Sequence, residues 1–188
     1  MSILGMFHNA PRLADPVLQN AWSPSCLDLF AKQGVSSSPT RAIAHEAGVS
    51  EGLIFRHFRT KEALLDQVIK QGIAQIEQRF ESVLQSEHPK VVLKQILSIP
   101  FQLNQHEKTF WRFILCYQWT DPRPCQTVLE PLKIRIEKSF KFLNRDDPKT
   151  ETESFLLCFK AILSCMLLET NKNTFAMVNT ILDKFNVL

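Results

Sequence analysis

Apolar residues recur at three- and four-residue spacing along almost the whole chain, and strand-like alternation is scarce; this pattern predicts an all-α protein. A first helix is expected to open at Ser23-Pro24, with Trp22 stapled onto Leu27, and to stop at Gly34. Ser36-Ser37-Ser38-Pro39 repeats the cap-then-proline device ahead of a second helix through Thr40, Ile43, Ala44 and Ala47, which Gly48 breaks. Ser50 caps a short third helix, Glu51 to Phe58, and Thr60 opens a long fourth one. From Lys61 to about Ser86, Leu64, Leu65, Val68, Ile69, Ile73, Ile76, Phe80, Val83 and Leu84 follow one face of a rod about 38 Å long.

Breaks near His88-Pro89 and at 104–108, 121–124, 144–148 and 171–173 divide the rest into about five further helices, giving about nine in all. Pro100 and Pro131 fall inside helical patterns, so a kink or break is expected just before each. Thr150 with Glu151 and Glu153 reads as a capping box. The expected organisation is an irregular arm over residues 1–22, a helix-turn-helix domain over 23–65 and a helical domain over 66–188.

Composition narrows the function. The 188 residues are 45% apolar, ordinary for a globular protein. Net charge is +3, and residues 1–85 balance eight basic against eight acidic residues, so any affinity for a polyanion must come from placement. The five cysteines form an odd set without a CxxC pair, which points to reduced thiols in a cytoplasmic protein. Cys158 and Cys165 share a helical face and read as small hydrophobes more readily than as a thiol switch. His8, His45, His57, His88 and His106 are scattered with no metal spacing, so no metal is expected. Without a phosphate-cradling glycine loop, a GxSxG elbow or paired carboxylates, the chain reads as no enzyme and needs no cofactor. The apolar Met1–Phe7 stretch lacks a basic leader, and no window reaches the roughly 18 apolar residues of a membrane span.

The segment Thr40 to Phe58, TRAIAHEAGVSEGLIFRHF, has the offsets of a helix-turn-helix. Ala44 is small where two helices cross, Gly48 supplies the turn, and Ile43, Ala47, Val49, Ile54 and Phe58 close a miniature core. Thr40, Arg41, Glu51, Gly52, Leu53, Phe55, Arg56 and His57 are left outward. A short helix capped by Ser50 can enter the major groove N-terminus first, with Arg56 as base reader, Thr40, His57 and Lys61 near phosphates, and Ser38 as a further DNA contact.

LDLFAKQG followed by TRAIAHEAGVSEGLIFRHFRTKEALL closely resembles the N-terminal domain of the TetR (tetracycline repressor-like) family over residues 27–65. The resemblance implies that Thr40, Ser50, Leu53, Phe55, Arg56, His57 and Lys61 face double-stranded operator DNA. It also implies a C-terminal domain that dimerises and binds a small-molecule effector. Three departures stand out: Leu53 replaces a usual hydroxyl residue, Phe55 a usual tyrosine, and Pro39 a residue that is often threonine. Leu53 could instead touch a thymine methyl. A helical interaction module that has lost specific DNA binding is the competing reading.

Residues 151–170 are apolar nearly all round, so this helix needs burial on more than one side. Phe155, Phe159, Ile162 and Met166, with Phe175, Val178, Leu182 and Phe185 on the last helix, are expected to form a two-fold four-helix interface in a homodimer. Phe101, His106, Trp111, Arg112, Tyr117, Gln118 and Phe140 are the expected lining of an effector pocket, although any one aromatic among them is more often core.

Overall fold

The computed structural model describes residues 24–167 and 173–187, and the side chains of Pro24, Ser25, Ser82, Val83, Leu84 and Phe175 lie outside that description. The expected arm over 1–22, the Ser23 cap, the Trp22 staple and the interface role of Phe175 therefore fall outside it too. Among the described residues there are nine helices and no strand, as the periodicity predicts. They are α1 (Pro24–Gln33), α2 (Thr40–Glu46), α3 (Glu51–Phe58), α4 (Lys61–Leu84), α5 (Pro89–Gln102), α6 (Gln105–Tyr117), α7 (Arg123–Phe142), α8 (Pro148–Leu167) and α9 (Thr174–Lys184). The chain divides into two compact units, one ending at Lys70 and one beginning at Gln71, so the division falls within α4.

In the first unit, α1 packs on α2 and α2 on α3. Gly34, at φ 77°, ends α1 by donating its amide to Phe30 O at 3.0 Å, the left-handed stop for which glycine has no steric cost. The cap expected before α2 does not form. Pro39 itself occupies the N-cap position without a side-chain bond, and Ser38 turns inward, its hydroxyl donating to Gly34 O at 2.8 Å. A buried hydroxyl that already has a carbonyl partner has no reason to reach the helix start.

In the second unit, α7 and α8 pack against each other across the short 143–147 connection. Lys133 Nζ on Glu153 Oε1 at 2.6 Å ties the two helices, and Arg145 Nε on Glu151 Oε2 at 2.8 Å ties the connection to the first turn of α8. Helix α5 lies against α7 and α8, α6 against α7 and α8, and α9 against α8 and α5. Trp111, Phe110, Phe113, Phe140, Phe155 and Phe159 are fully buried between them. Trp111 meets Phe159 edge-on, and Phe140 and Phe155 meet each other edge-on and both contact Phe185. Such pairs add about 0.5–1.5 kcal/mol each beyond the area they bury.

The break at each proline and the place of the capping box differ from expectation. Helices α5 and α7 run on through Pro100 and Pro131 without a break; each proline removes one backbone bond, and burial of Val92, Leu93, Ile96, Leu97 and Ile99 in α5 holds the helix together around it. The capping box lies at the start of α6, where Asn104 and Glu107 bond reciprocally. Thr150 lies inside α8, and Asp147 accepts its amide at 3.1 Å; the Thr150 hydroxyl first, then the Thr150 and Lys149 amides, hold the Asp147 carboxyl below its usual range.

Candidate nucleic-acid interface

Helices α2 and α3 and the turn between them form the unit the motif predicts. Ile43, Ala44 and Ala47 on one side and Ile54 and Phe58 on the other are buried, while Val49 is half-buried. Gly48 takes φ 65° and donates to His45 O, and Val49 donates to Ala44 O, both at 3.0 Å. The turn thus reverses the chain within three residues. Cys26 of α1 directs its thiol at Ile43 O, 3.6 Å away, holding α2 from behind.

Helix α3 begins as expected, with the Ser50 hydroxyl accepting the Leu53 amide at 3.2 Å. The amides of Glu51 and Gly52 precede the first intrahelical bond and lie at the positive end of the helix dipole. Arg56 and His57 are exposed, Phe55 is 47% exposed, and Glu51 and Leu53 are half-buried. Arg41 of α2 is exposed and Thr40 half-buried. Pro39, Arg41, Ala42, His45 and Glu46 line a shallow concavity on the outer side of α2.

Two expected DNA contacts are placed otherwise. Ser38 is fully buried with its hydroxyl bonded internally, so it leaves the outward set. Lys61 is half-buried, and its ammonium donates to Val35 O at 2.8 Å, Ser36 O at 3.1 Å and Ser38 O at 3.4 Å. It ties the first turn of α4 to the loop before α2 and is no free phosphate anchor. Arg59 is a residue the sequence reading missed: exposed, at φ 60°, it donates its amide to Phe55 O at 2.9 Å and closes α3. Its place in RHFRTK, between two cations already singled out, was the available clue.

The residues expected around an effector are spread through the second unit. Trp111 and Phe140 are core side chains. Arg112 donates to Leu167 O at 3.1 Å and Gln118 to Leu115 O at 2.8 Å, so both polar ends are engaged by backbone. Tyr117 stacks on Phe113 at 5.3 Å, and Phe101, His106 and Tyr117 are half-buried. The sequence did not single out Gln71, Gln95 or Arg135, yet Gln71 Oε1, Gln95 Oε1, Arg135 Nε and Trp111 Nε1 are buried and lack a hydrogen-bond partner among the described residues. The residues expected at a dimer interface are placed as follows. Phe155, Phe159 and Ile162 are fully buried inside the subunit and Val178 and Leu182 are 6% exposed, while Phe185 stacks on Phe140. Met166 is half-buried. The side of α8 facing outward carries Ser154, Leu157 and Ala161 instead, with Leu157 66% exposed. From Phe155 to Leu167 apolar residues fall on nearly every side of α8, so the sequence could not say which face the subunit would use for its own core.

No described helix is long and apolar enough to cross a membrane. Among the described residues no group of three or more His, Cys, Asp or Glu side chains could hold a metal ion. Cys158 and Cys165 are half-buried and free, and seven residues along one helix is about 10.5 Å, too far for a disulfide between them.

Residues 26–68 match the sequence profile of the bacterial regulatory proteins of the tetR family. The HTH-type transcriptional regulator YerO of Bacillus subtilis, itself uncharacterized, is 33% identical over 85 residues, 44% of this chain and 29% of that relative. The HTH-type transcriptional repressor Rv3405c of Mycobacterium tuberculosis is 34% identical over 70 residues, 37% of this chain and 35% of its own length. These alignments thus cover about a third of each curated relative. The fold extends further: the crystal structure of the regulator FadR from Bacillus subtilis in complex with stearoyl-CoA superposes with a TM-score of 0.65, covering 89% of this chain and 95% of that one at 17% identity.

Proposed function

We propose that the chain, whose helix-turn-helix matches the profile of the tetR family of bacterial regulatory proteins over residues 26–68, is a sequence-specific transcriptional regulator of that family, a repressor released from a palindromic operator by a small apolar or amphipathic effector. The observation that carries this reading is the Ser50-capped α3, anchored by buried Ile54 and Phe58 and presenting Phe55, Arg56 and His57 to solvent. Arg56 is the base reader, since a guanidinium matches the two acceptors of guanine in the major groove. Thr40, Arg41, His57 and Arg59, with the first amides of α3, bind phosphates and fix register. Glu51 sits at the helix start, where its carboxylate accepts from a cytosine amino group.

The working form is a homodimer in the cytoplasm. Its interface is the outer face of α8 around Leu157 and Ala161, and the span Ser154–Leu167 carries Lys160 as its one charged residue. Two-fold symmetry then sets two α3 helices roughly 34–36 Å apart, one DNA turn. The effector occupies the second unit, where the unpartnered Trp111 Nε1, Gln71 Oε1 and Gln95 Oε1 supply one donor and two acceptors. FadR's acyl-CoA complex supports a ligand with a long apolar portion. Binding that favours one of two states of the protein lowers DNA affinity by its differential affinity for those states, with α4 as the continuous link between the units.

Selection of bound duplexes from a random pool tests this proposal. An enriched palindrome whose binding weakens steeply with salt is expected, and a pool with no enriched sequence would overturn it.

A further inference from the structure

The face of α3 that the proposed function assigns to DNA has an apolar centre. Gly52, Phe55 and Arg56 stand at i, i+3 and i+4 and so share one side of the helix. Phe55 is 47% exposed, and Leu53, half-buried, borders it. Gly52 leaves the first turn bare although a Cβ there would meet nothing within 4 Å. The fold therefore does not require that glycine, and a helix is weakened by it relative to alanine; the bare first turn leaves room for a close approach from outside. Arg56 shares that side of α3, and Arg41 and Arg59 of the same helix-turn-helix are also exposed, which suits a polyanion.

We propose that Phe55, flanked by Leu53, is a specificity-determining residue that reads the C5-methyl group of a thymine at a fixed position in each operator half-site. This rests on the DNA-binding reading above and deepens it. The chemistry is selective. Most of what base edges offer in the major groove is a hydrogen-bond donor or acceptor, which a phenyl ring would strip of water and leave unpaired. The thymine methyl is the apolar group there, and 5-methylcytosine is its natural mimic.

Uracil supplies the test, because it pairs like thymine and keeps O4 but lacks the methyl. Starting from a selected duplex, each thymine is replaced in turn by uracil and binding is measured by fluorescence anisotropy. The expected result is one position per half-site where uracil weakens binding about three- to tenfold, with 5-methylcytosine binding more tightly than cytosine there. In Phe55→Ala that thymine-to-uracil difference disappears, and because Phe55 is exposed the variant keeps the wild-type helical spectrum and Tm. Equal binding of thymine and uracil duplexes at every position, or a penalty that persists unchanged in Phe55→Ala, would overturn the assignment while leaving DNA binding intact. Failure of every duplex to bind would instead defeat the underlying DNA-binding reading. If Phe55→Ala left DNA affinity unchanged and reduced self-association, Phe55 would belong to a protein contact and the thymine assignment would fall.

Discussion

The ammonium of Lys61 donates to the carbonyl of Val35 across 2.8 Å, from the first turn of α4 to the loop that precedes α2. The same nitrogen reaches Ser36 O and Ser38 O, so one cation gathers three backbone acceptors that no helix satisfies. It holds the helix-turn-helix against the base of the long helix from the protein's side.

The consequence for Lys61→Met is a loss of about 1–2 kcal/mol from the first unit, since charge-assisted bonds to backbone are lost from a partly exposed site. Affinity for all duplexes should fall together. A phosphate contact would lower the slope of log affinity against log salt by about one, whereas a structural tie leaves that slope unchanged. Denaturant melts and a salt titration check both, and the unchanged slope is the expected outcome.

Arg79 holds Glu107 through two bonds, Nε to Oε1 at 2.5 Å and Nη2 to Oε2 at 2.7 Å, and Glu107 also caps the α6 start by accepting the Asn104 amide at 2.8 Å. The Glu107 side chain is 9% exposed. Arg79→Met leaves that carboxylate buried without its counter-ion and should cost about 3 kcal/mol, read as a lowered denaturation midpoint. Arg79→Met with Glu107→Gln in the same chain should recover part of the loss, because the uncompensated charge is gone.

Burial pushes the Glu77 carboxyl above its usual range, with no cation offsetting it. The folded chain thus holds this proton more tightly than the unfolded chain does. Its contribution to stability is present at low pH and is lost as pH rises from the ordinary carboxylate value through the raised one. Glu77→Gln should accordingly raise Tm at pH 7 relative to wild type and lose that advantage at pH 4. Thermal melts at the two pH values decide it, and an equal effect at both would assign the gain to packing.

Leu157 is exposed while its neighbours Phe155, Leu156 and Phe159 are buried, so a charge at position 157 spares the subunit's own core. Leu157→Glu should leave the folding free energy within about 0.5 kcal/mol of wild type yet convert a dimer to a monomer in sedimentation at micromolar concentration. A dimer that persists would move the interface off this face of α8.

Much of the helix-turn-helix was readable because its determinants are local. Ser50 caps α3 through a bond three residues away, Gly48 adopts the positive φ its turn needs, and Ile54 and Phe58 fall inward by helical spacing. The internal bonds of Ser38 and Lys61 were not readable in the same way. Ser38 bonds the carbonyl of Gly34 in an irregular turn four residues back, where no helical spacing applies, and the partners of Lys61 lie 23 to 26 residues back in the chain, where no spacing rule reaches.

The sequence by itself determined that the chain is helical, where its helices start and stop to within a few residues, and that a capped reading helix follows a glycine turn, because 3.6-residue periodicity and capping chemistry act within one or two turns. Only the tertiary structure decided which sides of the apolar stretch 155–167 of α8 go into the core. Phe155, Phe159 and Ile162 lie inside the subunit and Leu157 and Ala161 outside, since burial is settled by how α5, α6, α7 and α9 close around that helix and apolar residues stand on more than one side of it.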